Sequence, residues 1–359
     1  MVEVETVKKD SDMLTFTLFS DLHYKEGMYI ACVSDMESIL KRAAESGSDF
    51  IIHGGDFCND YVGSPEITNV YLKNKYNIPA YGIYGNHELE TNENTMSVVT
   101  PLLTNRPDSV VWGTKSGKIE DGTVGYYYFD IKDFRIVCTD TNYSVNPKTK
   151  KYEHNAPASW GPPNGNFPYN CLGNEQLRWL ENVLTDAAHK HINCIIMSHD
   201  SYSGVWDSSP DCENVRKIFK KVNGISDKTV IAAINGHYHR NCSAVKDNIY
   251  YLNINSVFNG VWRVADGQHY VDGQVFDFTK YNAVGDPIET YRRNIFELSQ
   301  AKNTYFYEEP LSAIVKITRN GLIEIDGSET TWRYNVVPEL SIQDLRRNPQ
   351  ITSEVVTLK

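Results

Sequence analysis

No run of 18 or more apolar residues occurs in this chain, so no membrane-spanning helix is expected. No CxxC pair occurs among its seven cysteines, Cys32, Cys58, Cys138, Cys171, Cys194, Cys212 and Cys242. An odd number without that spacing suggests neither a zinc knuckle nor a disulfide framework. Cys138 and Cys194 lie in apolar runs and read as small core residues. A reducing, cytoplasmic setting is the expectation. Met1 to Met13 lacks the basic start and apolar core of a signal peptide, although a leader already removed would leave no trace. Basic blocks are also missing, since Lys148-Thr149-Lys150-Lys151 is too short to be one. The 35 Lys and Arg against 46 Asp and Glu give a net charge of −11, which disfavours a nucleic-acid face. There is no GxSxG or CxxxxxR motif, hence no sign of a covalent nucleophile. No repeat or low-complexity tract is visible.

What is present describes an ordinary globular chain. Its 359 residues, 41% hydrophobic and 23% charged, suffice for one large α/β domain with a modest extension. Such a domain buries enough apolar surface to fold without a staple. Leu14 to Ser20, Asp49 to His53, Ile78 to Tyr84, Asn193 to Ser198 and Thr229 to Asn235 read as strands. Met36 to Ser46, with Gly47 as its C-cap, and Ile67 to Lys75 read as helices. So do Asn174 to Ala188, whose Leu177, Leu180, Val183 and Leu184 share one face, and Asp211 to Val222. Gly125 to Ile131 and Phe134 to Thr139 form a hairpin around Lys132-Asp133. Ile249 to Ile254, Ala313 to Ile317 and Leu322 to Ile325 add strands, with Asn320-Gly321 as a turn. This strand content predicts a second sheet packed on the first, giving an α/β sandwich with helices outside. Asn142 to Gly173 and Gly260 to Asn294 are long, polar and aromatic, and read as binding loops or as surface decoration.

Five segments carry chemistry: Asp21-Leu22-His23, Gly55-Asp56, Gly85-Asn86-His87-Glu88, His199, and Gly236-His237-Tyr238-His239. Each follows a predicted strand, and strand C-termini in an open α/β sheet line a common crevice. Five of the ten histidines fall in them. Alone, each segment is weak: a lone Gly-Asp is usually a turn, and a lone strand-end His usually a hydrogen-bonded loop residue. Together they offer imidazoles, carboxylates and an amide to two divalent cations about 3.5–4 Å apart. Such mixed nitrogen and oxygen donors suit Mn, Fe or Zn. Asp21 and His23 alternate, so an extended chain would point them to opposite faces. A turn is therefore required there.

Order and content of these motifs resemble the calcineurin-like metallophosphoesterase superfamily, over roughly Leu14 to Asn255. The resemblance implies a two-sheet, four-layer α/β/β/α sandwich with a strand-containing C-terminal extension. It implies a catalytic domain over residues 14–259, with 1–13 as an N-terminal extension, 142–173 as an irregular insertion or lid, and 260–359 packed on the same domain. The first metal would be held by Asp21, His23, Asp56 and His239. The second would be held by Asp56, Asn86, His199 and His237, with Asp56 bridging. A metal-bridging hydroxide would attack phosphorus in line. His87 would face the substrate as general acid or phosphoryl stabiliser. Asn86 and Arg240 are candidates for contact with the phosphate.

Two departures narrow the branch. Where protein phosphatases of this superfamily carry an Asp supporting the catalytic His, this chain has Asn59, followed by Asp60, and the neighbouring Arg and Gly are missing. That disfavours a protein Ser/Thr phosphatase and leaves Asn59 or Asp60 to support His87. Purple acid phosphatases share GNHE but have Gly where His23 stands and a Tyr ligand where Asn59 stands, so two divalent ions are expected. The expected activity is hydrolysis of a small or medium organic phosphate, leaning to diesters over monoesters because Arg240 is the sole cation beside the motifs. Alternatives are a nucleotide pyrophosphatase, with Tyr152, Trp160, Phe167 and Tyr169 stacking a base, and a non-catalytic scaffold of the same fold.

Overall fold

The computed structural model describes residues 13–24, 33–58, 60–89, 93–119, 124–146, 148–154, 170–205, 209–239, 241–257, 259–261, 269–271, 274–276, 304–331 and 349–359. The first half runs β1 (Met13–Phe19), α1 (Val33–Glu45), β2 (Phe50–His53), α2 (Pro65–Leu72), β3 (Ala80–Gly82) and a short α3 (Met96–Val99). Then come β4 (Val111–Trp112), β5 (Tyr127–Ile131), β6 (Phe134–Cys138), β7 (Tyr143–Val145), β8 (Tyr152–His154) and α4 (Gly173–His189). The second half holds β9 (Asn193–Ser198), α5 (Cys212–Asn223), β10 (Val230–Asn235), β11 (Cys242–Lys246) and β12 (Ile249–Asn253). Two small pairings follow, β13 (Asn259–Val261) with β16 (Thr304–Phe306), and β14 (His269–Val271) with β15 (Gln274–Phe276). The last strands are β17 (Ala313–Thr318), β18 (Leu322–Gly327) and β19 (Glu354–Thr357).

Two mixed sheets form the middle of the sandwich, ordered β19-β18-β17-β1-β2-β3 and β11-β12-β10-β9-β6-β5-β4. Within them β1, β2 and β3 are parallel, as are β6, β9, β10 and β12. Strands covered on both faces lose the inside–outside alternation of a half-exposed sheet: Leu14 to Phe19, all of β2 and all of β9 are buried. The alternation survives as a choice of core. Ile195 and Met197 join the core between the sheets, while Cys194 and Ile196 join the core beneath α4 and α5. Tyr81 of β3 stacks on Phe129 of β5 with ring centroids 3.8 Å apart, which joins sheet to sheet. On the outer side of the first sheet, α1 buries Met36, Ile39, Leu40 and Ala43.

The strand expected over residues 78–84 is reduced to Ala80–Gly82. Asn74 takes its place at Ile78, donating from Nδ2 to the Ile78 carbonyl (2.9 Å) and accepting from its N–H at Oδ1 (2.9 Å). Proline opens α2 earlier than the spacing suggested, at Pro65, where a missing N–H costs nothing. Tight turns fall where expected, at Lys132 (φ 53°) and Gly321 (φ 89°). Among the described residues no helix is long and apolar enough to cross a membrane. Six of the seven cysteines are described and all six are free.

Candidate metal centre

Parallel registers deliver the five motifs to one rim. Asp21 leaves β1, Asp56 follows β2, Asn86 follows β3, His199 follows β9 and His237 follows β10. Pairing continues past the strands: Asp21 N–H donates to the Gly55 carbonyl (3.0 Å), His23 N–H to that of Asp56 (2.8 Å), and Tyr24 N–H to that of Phe57 (3.1 Å). The two sheets are then joined at the rim. His199 Nδ1 lies 2.7 Å from the Gly54 carbonyl oxygen, and His237 N–H donates to the Asp21 carboxylate at 3.1 Å.

The turn required between Asp21 and His23 is made by the residues themselves. Their φ angles are 55° and 51°, and Asp56 (49°), His237 (72°) and His239 (48°) are also left-handed. Five of the seven expected ligands thus occupy a region that costs a non-glycine residue about 1–3 kcal/mol. Such strain persists where surrounding structure enforces it, which is characteristic of functional sites. Gly55 (φ 94°) has no such penalty, and a Cβ there would strike His199 Nδ1 and the Gly85 backbone. Only glycine lets these three loops approach so closely.

Three overlapping donor groups result: Asp21, His23 and His239; His23, Asp56 and His87; Asp56, His199 and His237. Nitrogen faces nitrogen at 3.2 Å between His23 Nε2 and His239 Nε2, and between His237 Nδ1 and His199 Nε2. Asn86 Oδ1 lies 3.2 Å from His199 Nε2, and His239 Nε2 lies 3.3 Å from Asp21 Oδ1. Asp56 Oδ2 is the common vertex, 3.2 Å from His199 Nε2, 3.6 Å from His23 Nε2 and 3.9 Å from His87 Nε2. His87 is held by its backbone, whose N–H donates to Asp56 Oδ1 at 2.9 Å.

The protonation tendencies fit a cation site. Burial disfavours charge on Asp21, but His239 and His199 outweigh it and pull the carboxyl down to about 2. Burial likewise opposes charge on Asp56, where His199 and His87 prevail and hold it well below the usual range. Burial, then His87, push His23 down to about 4, leaving a neutral imidazole at pH 7. Burial also lowers His237. His199 goes the other way: against burial, Asp56, Asp21 and Asp200 raise it well above its ordinary value. These carboxylates therefore demand positive charge, which a proton on His199 or a divalent cation can supply. Ionised carboxylates and neutral imidazoles are the forms in which such ligands bind metal.

The support of the site was less visible in sequence. Glu88 is fully buried and accepts the backbone N–H groups of Asp56 (3.0 Å), Phe57 (2.6 Å) and Gly85. It clamps the Asp56 loop to the Asn86 loop. Burial, then Asp56, push its carboxyl up to about 8. Asp140 is buried between His154 Nε2 (2.8 Å) and Asn142, and Asn142 Nδ2 also donates to the Gly85 carbonyl (3.0 Å). Asp60 gives Oδ1 to the Gly63 N–H at 2.8 Å. Asn59 and Arg240 lie outside the described residues, as do Trp160, Phe167 and Tyr169, and only the backbone of Tyr152 is described. No local sequence signal marks Glu88 as this clamp, because two of its three partners lie more than 30 residues away.

The family model for calcineurin-like phosphoesterases matches residues 14–241. Among solved structures, a dimetal phosphatase from Danio rerio is similar with TM-score 0.56 and 14% identity, over 96% of this chain and 99% of that one. A putative 5'-nucleotidase from Staphylococcus aureus, in complex with alpha-ketoglutarate, gives TM-score 0.42 and 13% identity over 96% of this chain and 54% of that one. A 5'-nucleotidase from Candida albicans gives TM-score 0.41 and 17% identity over 86% and 51%. Comparison with curated proteins returns no match. At 14% identity the zebrafish structure speaks for the fold.

Proposed function

The chain belongs to the calcineurin-like phosphoesterase family, and from that premise we propose a two-cation hydrolase of small or medium organic phosphates. Asp21, His23, Asp56 and His239 would hold one cation. Asp56, Asn86, His199 and His237 would hold the other. Manganese, iron or zinc suits this donor set. When bound, such a pair polarises phosphoryl oxygens and makes water nucleophilic near neutral pH. The observation that carries the reading is the place of Asp56: one carboxylate oxygen lies within 4 Å of three imidazoles drawn from two donor groups.

The protein's own residues supply the rest. Asn86 and Arg240 would contact the phosphate at the rim. His87, buried beside Asp56, has the proton chemistry to protonate a departing alkoxide or to donate to a phosphoryl oxygen. Good alcohol protonation favours a diester, whereas a monoester dianion needs extra cationic side chains; with Arg240 alone beside the motifs, the reading leans to diesters.

Hydrolysis of bis-p-nitrophenyl phosphate beside p-nitrophenyl phosphate tests this, with protein stripped of metal and resupplied with Mn(II). Metal-dependent release, faster for the diester, is the expected result. No release of either ester with both ions bound would sink the hydrolase of simple esters and favour a pyrophosphatase or a scaffold.

A further inference from the structure

Asp200 follows His199 at the end of β9 and is 3% exposed. Both of its oxygens are held from outside the donor cluster. Thr141 Oγ1 donates to Oδ2 at 2.7 Å, and Asn170 Nδ2 donates to Oδ1 at 2.9 Å. Ser198 Oγ donates to its backbone carbonyl at 2.8 Å. Thr141 and Asn170 stand near the two ends of the irregular segment 142–173, so both ends meet on this one carboxylate.

The same Oδ1 lies 3.8 Å from Nε2 of His237. On the opposite side of that ring, Nδ1 lies 3.2 Å from His199 Nε2 and so faces the donor cluster. One nitrogen of the imidazole thus looks toward ligands and the other toward a fixed anion. A carboxylate behind a ligating imidazole sets its tautomer and its orientation. At 3.8 Å the contact is longer than a hydrogen bond, and acts through the carboxylate's field or through one bridging water.

We infer that Asp200 is a positioning residue for His237: it keeps the proton on Nε2 and leaves the Nδ1 lone pair directed at the second cation. The inference rests on His237 being a ligand, as proposed above. It makes Thr141 and Asn170 part of the metal centre's support, because they fix the carboxylate that fixes the imidazole.

Titration of Mn(II) into the metal-stripped full chain tests it, together with the 15N signature of the His237 ring before metal is added. Asp200→Asn should weaken one of the two ions by about 10- to 100-fold, leave the other at wild-type affinity, and shift His237 from a single Nε2–H tautomer to a mixture. Wild-type affinity for both ions would overturn the inference. So would weakening of both ions alike in a folded variant whose His237 tautomer is unchanged. His237→Ala separates the two readings. If it loses one ion while Asp200→Asn keeps both, only the role of Asp200 falls; if it keeps both, the ligand assignment falls and takes Asp200 with it. Should Asp200→Asn fail to fold, Thr141→Val, which frees Oδ2, should weaken the same single ion several-fold, and equal affinities there would overturn the inference.

Discussion

Two charge clusters in this molecule are built in opposite ways. On the outer side of the second sheet, Arg135 is 2% exposed and its guanidinium makes four hydrogen bonds. It donates to Asp130 Oδ1 (2.7 Å) and Oδ2 (2.9 Å), to Asp186 Oδ2 (2.9 Å) and to the Val183 carbonyl (3.0 Å), with its guanidinium over Tyr128. Charge there is closed within the protein. At the rim, carboxylates and imidazoles face one another, nitrogen opposite nitrogen, on backbone held left-handed. Charge there is left open to something from outside. A charge cluster thus points to a cation site when carboxylates and imidazoles crowd one another, and to architecture when an arginine joins the carboxylates.

The largest effect should come from the vertex of the open cluster. Asp56→Asn should disturb both ions at once and lower turnover by ~10³-fold or more, since the ions supply several kcal/mol to the transition state. Metal analysis showing one ion lost and the other retained would break the picture of a shared carboxylate. Next, His87→Ala should cut turnover by about 10²- to 10⁴-fold with both ions still bound. Loss of metal in that variant would move His87 into the ligand set with His23 and Asp56.

In the closed cluster the expected effects fall on stability alone. Arg135→Met should cost about 1–3 kcal/mol in chemical denaturation, because Asp130 and Asp186 are 44% and 43% exposed and water can take over their bonds. Turnover and metal content should stay at wild-type levels; a drop in either would mean that the clusters are coupled across the sheet. The smallest effect belongs to Asp186. Burial raises its carboxyl, but Lys190 and Arg135 together outweigh this and leave it lowered. Its contribution is therefore fully present above the unfolded value near 4 and is lost as pH falls through the lower folded value. Asp186→Asn should remove that part of the acid limb, worth no more than ~1 kcal/mol at such exposure. Urea titrations at pH 3 and pH 6 would detect it.

Much of the rim was legible because strands, glycines and polar residues leave local marks. Each motif sits where an apolar run stops, and five parallel registers do the rest. The need for a turn between Asp21 and His23 was legible too. Its form was not: nothing in Asp21, His23 or Asp56 announces a left-handed backbone, which surrounding structure imposes. Glu88 and Asp200 were out of reach for a different reason. Apart from Gly85, the groups that hold their carboxylates lie 30 or more residues away, and periodicity carries no information on who those partners are. The shortened third strand had a local cause instead, the side chain of Asn74 taking the place of a ladder at Ile78.

The position of β17 also has a consequence for how the protein is made. It pairs with β1 along Met13–Leu18 and separates β1 from β18. The strand that presents Asp21 and His23 therefore emerges from the ribosome with only one of its two neighbours available early, β2. At about 5–20 residues per second, roughly 15–60 s pass before Ala313–Thr318 is synthesised. During that interval one edge of β1 is an open template for any other extended chain. Vectorial synthesis thus closes that edge of β1, the strand translated first, only when the C-terminal hairpin arrives.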